Sequence, residues 1–329
     1  MATEKGKVCV TGGTGFIGSW LIFRLLHRGY SVITTVRSDP EHKRDLSFLT
    51  SLPGASERLQ ILRADLNNPE SFEAAIEGCT GVFHVATPVD FEGKEPVEIV
   101  TKRSIDGALG ILKACLNSKT VKRVVYTSSM STVQFPSNME DIDEVDESFW
   151  SDEDYVKAHK PYGGSYVISK TLTEKAVLEF SEKNGLEVVT LIPSFVVGPF
   201  ICPKFPGSVR TTLALLLGNE YEYNLLVKLC MVHVDDVARA HIFLLEHPDV
   251  NGRYNCSSDE MTLESMAEFL SAKYPEFHIP SKDYLKEITW YKIPSVTSKK
   301  LIDCGFKFEY GVEEMFRDAI QCCKEKDYL

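Results

Sequence analysis

Short apolar runs alternate with stretches of helical period along the first two-thirds of the chain. The first run, Lys7-Val8-Cys9-Val10-Thr11, breaks into Gly12-Gly13-Thr14-Gly15 and then into a segment whose Ile17, Leu21, Leu25 and Leu26 share one helical face. Gly29 suits a helix C-cap, and Ser31 to Val36 reads as the next strand. Further strands are expected at Gln60 to Leu62, Gly81 to Val85, Arg123 to Tyr126 and Val188 to Ile192. Between them lie helical patterns over Pro69 to Glu77, Val97 to Leu116 and about Tyr166 to Lys183. Strands alternating with helices predict a doubly wound parallel sheet, a Rossmann-type α/β fold.

After Pro199 the rhythm changes. Pro203, Pro206 and Gly207 mark a loop, a helix is expected over Val209 to Leu217, and Met231 to Val234 followed by Asp235 to Leu245 read as a strand and helix returning to the sheet. From Met261 onward the pattern is mostly helical. The expected division is a larger domain over residues 1–198, to which 231–256 returns, and a smaller interleaved C-terminal domain over 199–329. The acidic stretch Glu140 to Asp154 reads as a long, exposed, solvated loop.

Within that βαβ frame the glycine turn points to a dinucleotide. Gly12 permits the tight turn, Gly15 lets the backbone approach a diphosphate, and Gly18 lets the new helix pack on the sheet, with Phe16 and Ile17 opening the helix whose free N–H groups face the anion. An NAD-binding unit usually carries an acidic residue after the second strand; here Arg37 stands there, suiting the 2′-phosphate of NADP(H), with Lys43 or Arg44 as a second cation. Asp65-Leu66 follows the third strand, where a carboxylate can accept from the adenine amino group or cap a helix. Tyr166 and Lys170 are one helical turn apart, so a phenol and an ammonium project into one site. A nearby cation favours phenolate, which makes Tyr166 the proton donor and Lys170 the group that lowers its pKa. Ser129, at a strand end, can polarise a substrate carbonyl.

Charge and cysteines narrow the class. A formal net charge of -11 argues against nucleic acid or an anionic membrane as partner. No apolar run approaches the ~20 residues of a membrane span, and Met1-Ala2-Thr3-Glu4-Lys5 lacks a signal-peptide core, so a cytoplasmic location is expected. The nine cysteines show no metal-ligand spacing and are expected as reduced thiols, with no metal.

The stretches Thr11-Gly12-Gly13-Thr14-Gly15-Phe16-Ile17-Gly18, Thr127-Ser128-Ser129 and Tyr166-x-x-x-Lys170 resemble the extended short-chain dehydrogenase/reductase superfamily. Val82-Phe83-His84-Val85-Ala86-Thr87-Pro88, the run from Ile192 to Pro199, that from Val232 to Ala238, and that from Gly252 to Ser257 are similar to the plant dihydroflavonol 4-reductase family and its isoflavonoid members. That resemblance implies that Val85, Ala86 and Thr87 line the nicotinamide ribose and ring. It also implies that Pro193 and Ser194 fix the carboxamide, that Ser208 reaches the diphosphate from the far side, and that Thr127 and Val196 complete the cofactor contacts. It implies substrate contacts at Phe91, Gln134 and Cys230 besides Ser129 and Tyr166, with Phe135, Phe200, Phe205 and Tyr223 as further aromatic wall. Family members carry an amide where Cys230 stands, which points to a less hydroxylated ring; Tyr162-Gly163-Gly164-Ser165-Tyr166 departs from the thioester-reducing relatives. The implied activity is NADPH-dependent reduction of a phenolic ketone, isoflavanone or flavanone in type, by a monomer or weak dimer. Dihydroflavonol reduction and reduction of another specialised ketone or aldehyde are the nearest alternatives. An NAD-retaining epimerase, against which Arg37 argues, and a non-catalytic NADP sensor, which would not need Ser129, Tyr166 and Lys170 together, stand further off.

Overall fold

The computed structural model describes residues 5–37, 45–88, 94–289 and 291–329. Twelve strands run through them: β1 (Lys7–Thr11), β2 (Ser31–Val36), β3 (Leu59–Arg63), β4 (Gly81–His84), β5 (Arg123–Thr127), β6 (Glu144–Val145), β7 (Val188–Pro193), β8 (Phe195–Val197), β9 (Lys228–His233), β10 (Gly252–Cys256), β11 (Asp259–Thr262) and β12 (Ser295–Val296). Seven of them, in the order β10-β7-β5-β4-β1-β2-β3, form one sheet with every pairing parallel. This is the Rossmann-type α/β fold that the alternating pattern predicts.

Each central strand is apolar on both faces because helices cover both. Val10, Phe83, Val125 and Val189 point into a layer formed by the Phe16–His27 and Val234–Glu246 helices. Their neighbours Cys9, Val82, Val124 and Val188 point the other way, against the Val97–Ser118 and Gly164–Asn184 helices. The two helices of the first layer are also tied by polar contacts: Asp235 accepts from Trp20 Nε1 at 2.8 Å and from Arg24 Nη2 at 2.7 Å. A second core, with Leu213, Leu215, Met266, Met315 and Phe316 among its members, lies under the segments that follow β8.

Three expectations need correction. The 231–234 strand does not rejoin the main sheet: β9 pairs with β8 and β11 in a separate three-stranded sheet. The edge of the main sheet beside β7 is taken by β10, and the Val234–Glu246 helix and β10 are the parts of 231–256 that return. The 209–217 helix is two short ones, Gly207–Thr212 and Ala214–Leu217, broken at Leu213. The acidic stretch is not simply solvated, because β6 pairs with β12, Val145 is buried, and the Glu147 carboxylate accepts from the Asn255 N–H at 2.8 Å. All nine cysteines are free thiols. Among the described residues no helix is long and apolar enough to cross a membrane.

Candidate active site

A cleft of about 710 Å³ opens at the carboxyl ends of the central strands, where ligands bind in sheets of this kind. Its floor begins at the glycine turn. Gly12 has φ +75°, and a Cβ there would come within 3.0 Å of the Ala86 Cα. A Cβ on Gly18 would lie 2.4 Å from the Gly12 carbonyl oxygen, and one on Gly13 2.0 Å from Thr34 Oγ1. Turn, helix and sheet are thus packed too closely for side chains. Gly15 opens the Phe16–His27 helix with no side-chain cap, so the backbone around Phe16, Ile17 and Gly18 presents its N–H groups to the cleft they line. An uncapped helix start behind a Cβ-free cradle fits a dinucleotide diphosphate.

Thr11, which sequence reasoning passed over, sets the opposite wall. Its Oγ1 accepts from the N–H groups of Val85 and Ala86, both at 3.0 Å, and its hydroxyl meets His84 Nδ1 at 3.0 Å. Burial, with Lys170 close by, pushes His84 down to about 3, so the ring is neutral, and Thr11, whose oxygen already accepts twice, gives its hydroxyl proton to Nδ1. Val85, Ala86 and Thr87 all line the cleft, as do Arg37, Asp65 and Leu66 at its other end. Lys43 and Arg44 lie outside the described residues, as does Phe91. Asp65 does not cap a helix: its Oδ1 accepts from Asn67 N at 2.9 Å and Nδ2 at 3.0 Å, while the following helical turn has Asn68 at its N-cap.

Tyr166 and Lys170 sit one turn apart on the Gly164–Asn184 helix, whose start is set by Gly163 at φ +72°. Ser129 is extended just past β5; its Oγ accepts from Ser131 N at 3.3 Å and hydrogen-bonds the Tyr166 phenol. Burial holds that phenol above its ordinary value, and the Ser129 bond pulls the other way. Lys170 is buried, and its Nζ donates to the Thr127 carbonyl at 2.8 Å, the Tyr126 hydroxyl at 3.2 Å and Thr87 Oγ1 at 3.3 Å. Burial lowers it to about 8, against the pull of Glu174. The phenol expected from sequence to lie low instead stands above its ordinary value, because burial outweighs what favours its charged form.

Thr127, Pro193, Ser194, Val196 and Ser208 also line the cleft. Ser194 is held by its N–H to the Cys256 carbonyl at 3.1 Å, and Ser208 donates its hydroxyl to the Val196 carbonyl at 2.7 Å. Of the expected substrate wall, Gln134, Phe135 and Phe205 line the cleft. Cys230, Phe200 and Tyr223 do not. Along β9 the side chains alternate, so Leu229 and Met231 enter the second core while Cys230 packs with Met130, Val133 and Ile192. Phe200 stands behind Phe205, ring centroids 5.8 Å apart, and Tyr223 is buried in the second core. In their place the cleft has Tyr162, 52% exposed, with Met130, Leu225 and Ile293. An aromatic residue just before Gly163-Gly164 was the available signal for Tyr162.

A cleft of this build serves hydride exchange at a carbonyl, the work of short-chain dehydrogenase/reductases of the extended kind. The chain belongs to the NAD dependent epimerase/dehydratase family, which it matches over residues 8–257. It is 61% identical over 329 residues to a vestitone reductase of Medicago sativa, covering 100% of both chains. It is 46% identical over 325 residues to a dihydroflavonol 4-reductase of Callistephus chinensis, covering 98% of this chain and 87% of that one. The crystal structure of vestitone reductase from alfalfa superposes with a TM-score of 0.88 at 58% identity, covering 99% of this chain and 100% of that one. The chain is an oxidoreductase of this family.

Proposed function

We propose that the chain uses NADPH to reduce a planar phenolic ketone, of isoflavanone or flavanone type, to the secondary alcohol. The single observation that carries the substrate class is the 61% identity to vestitone reductase from end to end. With Cys230 outside the cleft, that residue no longer bears on ring hydroxylation; Gln134, Phe135, Phe205 and Tyr162 offer flat apolar surface with one amide for a phenolic hydroxyl.

Gly12, Gly15, Phe16, Ile17 and Gly18 hold the diphosphate, with Ser208 opposite. Arg37 takes the 2′-phosphate with Lys43 or Arg44, Asp65 and Leu66 take the adenine, and Val85, Ala86, Thr87, Thr127, Pro193, Ser194 and Val196 surround the nicotinamide half. The bound cofactor supplies hydride. Ser129 and Tyr166 both hydrogen-bond the carbonyl oxygen and so turn its carbon toward the hydride source. Tyr166 then gives its proton to that oxygen; its raised pKa keeps it protonated at neutral pH, and the Lys170 charge stabilises the phenolate it leaves. Residues 1–198 with the returning part of 231–256 form the cofactor half, and 199–329 closes over the substrate. The enzyme works in the cytoplasm as a monomer or weak dimer.

NADPH oxidation is measured against an isoflavanone, a dihydroflavonol, a hydroxycinnamoyl thioester and small aliphatic ketones. The expected result is a kcat/KM for the isoflavanone at least about tenfold above the thioester and aliphatic ketones. A preference for either of those refutes the phenolic-ketone reading and leaves the oxidoreductase standing. In the same assay Arg37→Asp should lower the NADPH-over-NADH preference in kcat/KM at least about tenfold, the loss of a charge-assisted bond to phosphate. An unchanged preference would remove Arg37 from the 2′-phosphate site.

A further inference from the structure

Behind the reacting side chains lies a buried ion pair that the reaction scheme leaves unused. Glu174 is one turn beyond Lys170 and two beyond Tyr166, so the three share the face of the Gly164–Asn184 helix that meets the sheet. Glu174 is fully buried. One carboxylate oxygen accepts from Thr190 Oγ1 at 2.6 Å and Arg253 Nε at 3.0 Å; the other accepts from Ser128 Oγ at 2.6 Å and Arg253 Nη2 at 3.3 Å. Thr190 is on β7 and Arg253 on β10, while Ser128 adjoins Ser129, so one carboxylate gathers two strands and the catalytic serine's own neighbour.

Arg253 extends the grip. Besides Glu174 it donates to Thr132 Oγ1 at 3.0 Å and to the carbonyls of Glu147 at 2.7 Å and Phe149 at 2.6 Å, and its guanidinium lies 3.5 Å from the centre of the Trp150 ring. Each guanidinium nitrogen therefore has an acceptor, the geometry for which arginine is suited and lysine is not. The turn that carries Ser129 is held at Thr127 by Lys170, at Ser128 by Glu174 and at Thr132 by Arg253.

We propose that Glu174 and Arg253 are positioning residues: together they set the Ser129 turn against the Tyr166–Lys170 face, and the Glu174 carboxylate holds Lys170 in its charged form. The inference rests on the catalytic reading of Ser129, Tyr166 and Lys170. Two features support it. The bonds of Lys170, Glu174 and Arg253 converge on the one turn that carries Ser129, and a buried ion pair of this kind is by itself weak evidence of a stabilising role. The titratable groups that face Lys170 are Tyr166 and Glu174 on its own helix, Tyr126 on β5 and neutral His84 on β4; only Glu174 among them carries negative charge.

The experiment compares kcat and the pH profile of kcat/KM for ketone reduction in Glu174→Gln, Arg253→Lys and the double variant Glu174→Met/Arg253→Met, with NADPH affinity by fluorescence titration and Tm alongside. Glu174→Gln is expected to lower kcat at least about tenfold through misplacement of Ser129, and to move the alkaline limb down by about half a pH unit or more as Lys170 loses its counter-charge. Arg253→Lys keeps the carboxylate, so kcat falls while the limb stays. The double variant removes both buried charges together and so keeps the fold even if Glu174→Gln loses it; it shows the lower kcat, because the Ser129 turn has lost its hold, while its limb moves less than that of Glu174→Gln, since a positive charge has left with the negative one. Wild-type kcat in the double variant, or a wild-type limb in folded Glu174→Gln, overturns the proposal, whatever happens to Tm. Failure of the catalytic reading itself would show separately, as Tyr166→Phe retaining its turnover.

Discussion

Tyr166→Phe is expected to lower kcat by at least about 10²-fold, since it removes the acid and leaves the ring's packing in place. The argument depends on where the hydroxyl sits. Ser129 bonds it from the β5 side, and burial holds its proton at neutral pH, so the group is poised to donate. The nearest other titratable groups are otherwise engaged: Tyr126 and His84 are buried beneath Lys170, and Lys170 spends its hydrogens on Thr87, Tyr126 and Thr127. NADPH affinity, measured by fluorescence titration, should be nearly unchanged. Turnover within a few-fold of the parent would eliminate Tyr166 as the acid.

Lys170→Ala should do damage of a different kind, lowering kcat by about 10²-fold or more and weakening NADPH binding as well. The ammonium sits one helical turn from the phenol and also ties Thr127 and Thr87, which line the cleft. Its removal leaves the buried Thr127 carbonyl and Tyr126 hydroxyl without their donor, a further cost of about 1–3 kcal/mol per group. The parent enzyme carries a pH signature of the same residue. With Lys170 lowered to about 8, the charge is present below that pH and lost above it, so kcat/KM for reduction should fall as pH rises through about 8. In Lys170→Ala that limb should vanish. An unaltered limb would assign it to another group.

Much of this was legible in the amino-acid order. The parallel sheet follows from strands such as β1 and β5 whose central positions, Val8-Cys9-Val10 and Val124-Val125-Tyr126, are apolar on both faces, and the glycine turn and the Tyr166-to-Lys170 spacing are local patterns on single elements. What escaped depends on partners distant in sequence. Nothing local marks Thr11 as the acceptor for Val85 and Ala86, or Arg253 as the partner of Glu174. Cys230 was expected in the cleft from the family likeness; β9, paired with β8 and β11, instead turns it among Met130, Val133 and Ile192. The acidic stretch misled for a related reason: its charges are indeed at the surface in part, but its backbone carbonyls at Glu147 and Phe149 are claimed by an arginine 104 residues or more away.

The late arrival of β10 has a consequence for how the chain is made. The large sheet acquires its sixth strand when Pro193 emerges from the ribosome, but its last edge strand and the helix that covers Leu21, Leu25 and Val10 come only with residues 234–256. For the roughly sixty residues of synthesis in between, the nascent cofactor half has an open edge beside β7 and an uncovered apolar face, which is the condition in which chains recruit chaperones or aggregate. Halting translation before residue 234 should therefore yield a species protected by chaperones and sensitive to protease, whereas halting beyond Cys256 should yield a half that resists digestion.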